Sequence, residues 1–337
     1  MEKRISGLAE PHQATDAGDA GRHVLALLAN PLNISVLRAH ASGLQRLGEL
    51  RGQVGNPAVT TLRAAIRNLD EFTLLKRVQV STVPYGVATE LTDAGREMLG
   101  VADALESWLA VAPDGPIELD SLAAKSAVKA LASGWKSKVV AALASGPLTL
   151  TELDKRITDL SYPSLERRLA AMRMTGQVER ARAGERRPAF QATDWLRRSV
   201  AALYIAARWE QRHLGDDAVP ITASGIETAF LTALPLAVLP PGTNGECLLA
   251  APVDTIHSRE PKTLAGARVK VEDGQVTVAV ADMGQDASTW IVCSAEAWLT
   301  AVINGQLDDL RVGGANPQLA LDLVLGTHLG LFSDLDE

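Results

Sequence analysis

Up to about residue 213 the apolar positions fall in short, helically spaced clusters, and the clusters come in the same order twice. Each round opens with a helix, "GRHVLALLAN" or "SLAAKSAVKALAS", and continues with a second, "ISVLRAHA" or "KSKVVAALA". A Ser-Gly pair ends the second helix, as glycine does after a helix C-terminus because it takes the left-handed conformation without steric cost. A short third helix follows, "RLGELRGQV" or "TLTELDKRI"; in the latter Thr149 or Thr151 can cap, with Glu152 in the first turn. The fourth helix is predicted to start at Asn56–Pro57 or at Ser161, since Asn and Ser are good caps and Pro suits the first helical position. Its apolar stripe reads Leu62, Ile66 and Leu69, matched by Leu165, Leu169 and Met172, the spacing of one buried helix face. Two extended runs come next, "LLKRVQVS" with "GVATEL" and "QVERARA" with "PAFQA". Proline, glycine and charge part each pair, as in a hairpin. A closing helix begins at Thr92–Asp93 or Thr193–Asp194.

The two rounds align residue by residue. From Leu28 to Arg77 the partner lies 103 positions on without a gap; from Thr92–Asp93 the offset is 101, pairing Trp108 with Trp209. The slip falls in a stretch rich in Gly, Pro and charge, where an exposed hairpin tip tolerates length change. Two copies are too few for a solenoid, so the pattern reads as a duplicated domain of about ninety residues. Helix, helix, helix, turn, helix, hairpin, helix is the layout of a winged helix-turn-helix, whose fourth helix enters a major groove while the hairpin touches the neighbouring backbone. Written in tandem, two such modules span two half-sites as a dimer of single modules would.

Beyond about residue 215 the pattern changes. "GIETAFLTALPLAVL" is apolar and helical up to Pro240–Pro241. Strand-like runs follow: "ECLLAAPV", "GARVKVEDG", "QVTVAVAD" and "STWIVC". The alternation in "RVKVEDGQVTVAV", with glycine at the turn, is a hairpin. "SAEAWLTAVING" then reads as a helix capped by Ser294, "LDDLRVGG" as a strand, and "NPQLALDLVLGTHLGLF" as a closing helix capped at Asn316–Pro317.

Composition fits this reading. Apolar residues make up 47% of the 337 and aromatics only 4%, which favours helices over an all-β fold. No run is long and apolar enough for a membrane helix, the N-terminus has no apolar signal core, and Cys247 and Cys293 form no CxxC pair. A reduced cytoplasmic chain is expected. Charge changes the picture further. The net −7 divides into −2 for residues 20–124, +9 for residues 125–213 and −12 for residues 214–337, with −2 in the polar lead-in 1–19. Phosphate contacts supply much of the affinity for DNA, so the second copy is expected to carry most of it.

On the second copy's fourth helix, Ser161, Tyr162, Ser164, Arg167 and Arg168 lie near the start and off the buried stripe. Arginine there can pair bidentately with guanine. The wing "RARAGERRP" offers Arg180, Arg182, Arg186 and Arg187 to phosphates or a minor groove. The corresponding set in the first copy is Thr60, Thr61, Arg63, Arg67 and Asn68.

"GWKSKVVAALASGPLTLTEL", "LSYPSLERRLAAMRMTGQVER" and "TDWLRR" in the second copy, with "LGEL" and "ELTDAGREML" in the first, resemble the HxlR-type winged-helix regulators, relatives of the MarR group. The second copy is the closer; the first has Leu32 where the second has Trp135, and Ala58 where it has Ser161. The resemblance covers roughly residues 20–213 and implies sequence-specific DNA binding, usually by dimers, and often repression. In the C-terminal part, "EDGQVTV", "VCSAEAWLTAVINGQLDDLRVGG" and "PQLALDLV" resemble the sterol-carrier-protein-like fold, which encloses an apolar tunnel for lipids or other hydrophobic small molecules. On that resemblance the candidate pocket residues are Phe230, Met283, Trp290 and Trp298, with His257 or Arg259 as polar anchors.

Together these readings give a mainly α chain with α+β parts. Its expected domains are a flexible lead-in 1–19, a winged helix-turn-helix 20–112, a linker 113–124, a second winged helix-turn-helix 125–214 and an α/β sterol-carrier-like domain 215–337. The expected partners are a double-stranded DNA operator and a hydrophobic effector, with no membrane and no cofactor. Pairing takes the form of an intrachain pseudo-dimer or a homodimer. The six histidines have no metal spacing, and no GxGxxG, P-loop or GxSxG occurs, so an enzyme has no residues to stand on. The rival is a ligand carrier or interaction module whose winged helices dock protein.

Overall fold

The computed structural model describes residues 20–80, 86–132, 135–144, 146–181, 188–253, 263–282 and 286–332. Its first unit runs α1 (Arg22–Leu28), α2 (Pro31–Ala41), β1 (Gln45–Arg46), α3 (Leu47–Gln53), α4 (Val59–Glu71), β2 (Leu75–Val80), β3 (Gly86–Leu91) and α5 (Asp93–Ala110). The second repeats that order: α6 (Leu122–Leu131), α7 (Trp135–Ala144), β4 (Leu148–Thr149), α8 (Leu150–Arg156), α9 (Tyr162–Met174), β5 (Val178–Arg180), β6 (Ala189–Ala192) and α10 (Asp194–His213). Each unit holds an antiparallel three-stranded sheet, β1-β3-β2 or β4-β6-β5. The hairpin registers correspond: Leu75 faces Leu91 and Val178 faces Ala192. The first strand of each sheet is two residues long, too short for alternation to show in the sequence.

Local chemistry sets the boundaries. The side chains of Thr92 and Thr193 accept from Gly95 N and Leu196 N and so start α5 and α10, as the sequence indicates. Ser42 ends α2 with Gly43 at φ +117°. The expected start of α4 at Asn56–Pro57 is corrected. Asn56 sits in a left-handed turn at φ +54°, closing the loop after α3, and Ala58 takes the N-cap position instead, at φ −56° and ψ 139°. The stripe of α4 also shifts, with Leu62, Ala65 and Leu69 buried and Ile66 half-buried, whereas Leu165, Leu169 and Met172 are all buried on α9.

The two units share one apolar core, and their closing helices lie antiparallel across it. Trp108 Nε1 near the end of α5 donates to Trp195 O at the start of α10 at 2.8 Å. Trp209 Nε1 near the end of α10 donates to Ala94 O at the start of α5 at 2.9 Å. Adding the repeat offset of 101 to Trp108 and Ala94 gives Trp209 and Trp195, so these two bonds are the same bond written twice. The contact is isologous, as in a two-fold dimer, but within one chain. Symmetry is broken at the first helix. The buried carboxylate of Glu210 accepts from Gly21 N (3.0 Å), His23 N (2.7 Å) and Val24 N (3.0 Å), closing the N-terminus of α1. Leu109 holds the corresponding place on α5.

The third part packs α11 (Ala223–Ala233), α12 (Ala295–Asn304) and α13 (Pro317–Phe332) around a five-stranded sheet. Its strands are β7 (Gly245–Val253), β8 (Thr263–Glu272), β9 (Gln275–Val280), β10 (Thr289–Val292) and β11 (Arg311–Gly314), ordered β11-β10-β7-β8-β9. Among the described residues only the β10–β7 pair of this sheet is parallel. The β8–β9 turn has Asp273 and Gly274 both at positive φ, the conformation a two-residue hairpin needs. A second apolar core fills this part and includes Val200 and Tyr204 of α10, while Trp195, Leu196 and Trp209 of that helix serve the first core. α10 is thus built into both. Among the described residues no single helix is long and apolar enough to cross a membrane.

Candidate nucleic-acid interface and ligand cavity

Within each unit α3–α4 and α8–α9 form the two-helix element. Glu152 fixes the start of α8: its carboxylate accepts from Thr149 N at 2.7 Å while Thr149 Oγ1 accepts from Glu152 N. The bonds from Thr149 hold the Glu152 carboxyl below the usual carboxylate range. Lys138 of α7 bridges to Asp159 in the turn between α8 and α9 at 2.7 Å, which likewise lowers the Asp159 carboxyl. The turn that presents α9 is therefore tied to α7.

On α9 the candidate residues share the exposed side. Ser161, Tyr162 and Arg167 are exposed, and Ser164 and Arg168 are half-buried at its edge. Ser161 stands at the N-cap position as expected, but its hydroxyl donates to Ser164 Oγ at 3.0 Å and does not accept from the helix backbone. Arg167 folds along its own helix, donating from Nε to Pro163 O at 3.3 Å and from Nη2 to Ser164 Oγ at 3.4 Å. These are weak, exposed bonds that a phosphate or guanine edge can replace. Burial lowers the Arg168 guanidinium pKa below its ordinary value. On α4, Thr60, Thr61, Arg63 and Arg67 are exposed and Asn68 is half-buried. Arg180 at the end of β5 is exposed; Arg182, Arg186 and Arg187 lie outside the described residues. Sequence spacing does not single out Arg173 and Met174 at the end of α9, yet both are exposed, Met174 at 88%.

A cavity of about 140 Å³ opens where the second unit meets the third part. Leu131 of α6, Val140 of α7 and Leu196, Val200, Leu203 and Tyr204 of α10 form one wall. Ile226, Ala229 and Phe230 of α11, with Trp298 and Leu299 of α12, form the other. Phe230 meets Trp298 edge to face, centroids 4.5 Å apart and planes at 85°. Burial pushes the Tyr204 phenol up to about 12. Of the candidate pocket residues, Phe230 and Trp298 line this cavity and Trp290 does not; Trp290 lies on β10 with its ring over Gly313 of β11. His257, Arg259 and Met283 lie outside the described residues. The α10 side of the cavity is not visible in the sequence, because its residues read simply as the buried stripe of a closing helix.

Cys247 and Cys293 are buried and free, their thiols pushed to about 12 by burial, so neither is poised as a nucleophile. Among the described residues no group of three or more His, Cys, Asp or Glu side chains is placed to hold a metal ion.

A search of the curated proteins found none that matches the chain. Residues 27–113 match the HxlR-like helix-turn-helix family model. The matched stretch is the first unit, from the end of α1 through α5, and not the second, which the sequence motifs mark as the closer. The match supports reading the chain as a DNA-binding transcription regulator with an HxlR-like helix-turn-helix in its first unit.

Proposed function

We propose that this chain is a tandem winged-helix repressor that reads a bipartite operator through α4 and α9 and is controlled by a hydrophobic small molecule. The observation that carries the proposal is the repeated bond across α5 and α10, Trp108 to Trp195 and Trp209 to Ala94, which relates the two units as a two-fold dimer relates its subunits. A two-fold pair of helix-turn-helix units suits an operator with two half-sites. The HxlR-like match falls on the unit whose fourth helix exposes Thr60, Thr61, Arg63 and Arg67. The second unit repeats its element order and sheet, and holds the basic surplus of +9 over residues 125–213. Residues 20–112 and 125–214 are on this reading two winged helix-turn-helix domains, and 215–337 a sterol-carrier-like effector domain in a cytoplasmic protein.

Fluorescence anisotropy on duplex DNA from upstream of the gene tests this, at two salt concentrations and beside Arg167→Ala/Arg168→Ala. Sequence-selective binding that weakens steeply with salt and is much weaker in the variant is expected. Equal, weak binding to random DNA, unchanged in the variant, would instead favour a carrier or a module that docks protein.

A further inference from the structure

The cavity between α10 and α11–α12 has a chemistry that narrows what it can hold. It lies at the seam between the second unit and the third part, so its walls come from both cores. Among the described residues no charged side chain lines it. Three of the hydroxyls around it are already committed as donors within their own helices: Ser199 Oγ to Leu196 O (2.6 Å), Thr228 Oγ1 to Ser224 O (2.7 Å) and Thr232 Oγ1 to Thr228 O (2.5 Å), while Thr222 Oγ1 accepts from Gly225 N and the Tyr204 phenol also lines the wall. The Trp298 indole is different. The residue is 1% exposed, and among the described residues its Nε1–H has no acceptor. A buried donor without a partner costs on the order of 1–3 kcal/mol, and a ligand that supplies an acceptor recovers it. The volume is close to that of an engineered apolar cavity of about 150 Å³ that takes benzene.

We propose that the effector site is this inter-domain cavity, and that it takes a small neutral molecule: one aromatic or alicyclic ring bearing a single hydrogen-bond acceptor for Trp298. This rests on the regulator reading above and names its ligand class. An anion is disfavoured, since among the described residues the wall holds no cation to meet it. A long acyl chain would fill the cavity and extend beyond it. The position also supplies the coupling. Val140 sits on α7, the helix that Lys138 ties to the turn before α9, and Leu196 and Val200 sit on α10, the helix that pairs with α5. A ligand that favours one spacing of α10 against α11 therefore favours one placement of α9 relative to α4.

Isothermal calorimetry on the full chain tests this with acetophenone, ethylbenzene and benzoate. Ethylbenzene has nearly the shape of acetophenone without the acceptor, and benzoate adds charge. Saturable acetophenone binding about fivefold tighter than ethylbenzene is expected, with none for benzoate. Trp298→Phe removes the donor and should abolish the acetophenone advantage. Ala229→Phe fills the space and should abolish binding of both. Should Trp298→Phe fail to fold, the wild-type comparison and Ala229→Phe still decide. No saturable binding, no preference for acetophenone, or undiminished binding in Ala229→Phe would overturn the site. DNA affinity is measured with and without saturating acetophenone on the same protein. A shift supports the effector role, and an unchanged affinity in a protein that does bind DNA overturns that role. Failure to bind DNA at all would instead count against the regulator reading.

Discussion

Trp108 and Trp195 stack face to face across the boundary between the two units, with centroids 4.5 Å apart and planes 6° from parallel. Each indole donates to the other's backbone carbonyl, Trp108 Nε1 to Trp195 O at 2.8 Å and Trp195 Nε1 to Trp108 O at 2.7 Å. Both rings are buried, so the stack and its two bonds exclude water and hold the end of α5 against the start of α10.

Trp195→Ala should therefore cost about 3–5 kcal/mol, the range for truncating a large buried aromatic. Because the rings share one interaction, the double variant with Trp108→Ala should cost less than the sum of the two single variants. Urea midpoints of the four proteins check this; additive losses would mean that the rings act separately.

Glu210 joins the last turn of α10 to the first turn of α1. Glu210→Ala leaves the amides of Gly21, His23 and Val24 without their carboxylate and should cost about 3 kcal/mol. Hydrogen exchange should show the loss first in α1, with α6 nearly unchanged because its cap is its own Ser121. Equal loss of protection at both helices would contradict this assignment.

His40 links pH to stability. Val36 O can only accept, so Nδ1 carries the proton (2.7 Å) and Nε2 accepts from Thr89 Oγ1 (2.8 Å). Burial of this neutral ring lowers its pKa below the ordinary 6.5. The unfolded chain then binds a proton that the folded chain refuses, so stability is highest above about pH 6.5 and falls as pH drops below it. Chemical denaturation at pH 7.5 and 5.5 should show this fall in the wild type and a smaller one in His40→Gln. An equal fall in both would assign it to other groups.

Gly330 on α13 lies against the carbonyl of Leu236, with no room for a Cβ. In an open helix Gly→Ala stabilises by about 1 kcal/mol. Gly330→Ala should reverse that sign and destabilise by about 1–3 kcal/mol, read as a lower melting temperature. A rise in melting temperature would show that this helix is free to shift.

What is legible in the sequence follows from what leaves a periodic trace. The stripe Leu165, Leu169 and Met172 and the caps Thr92, Thr193 and Ser294 are local, so spacing and residue type reveal them. The Trp108–Trp195 pair leaves no such trace. The repeat aligns Trp108 with Trp209, and it aligns Trp195 with Ala94, so a contact across the pseudo-axis looks like a mismatch along the chain. Asn56 misleads because the same residue type serves as a helix cap and as a left-handed turn, and only the neighbouring path of Arg51–Asn56 decides between them. Half of the cavity is legible. Phe230 and Trp298 stand out from the third part alone, whereas Val200 and Leu203 look like ordinary core until α11 is set beside α10.

The proposed function stands or falls on one chain carrying two DNA-reading units in a pseudo-two-fold pair. Selection of bound duplexes from a random-sequence library tests this with no operator sequence assumed. An enriched bipartite motif is expected, with two imperfect inverted halves about one or two helical turns apart. Arg167→Ala/Arg168→Ala should erase one half and Arg63→Ala/Arg67→Ala the other. No enrichment over the input library, or a single undivided site that neither variant alters, would contradict it.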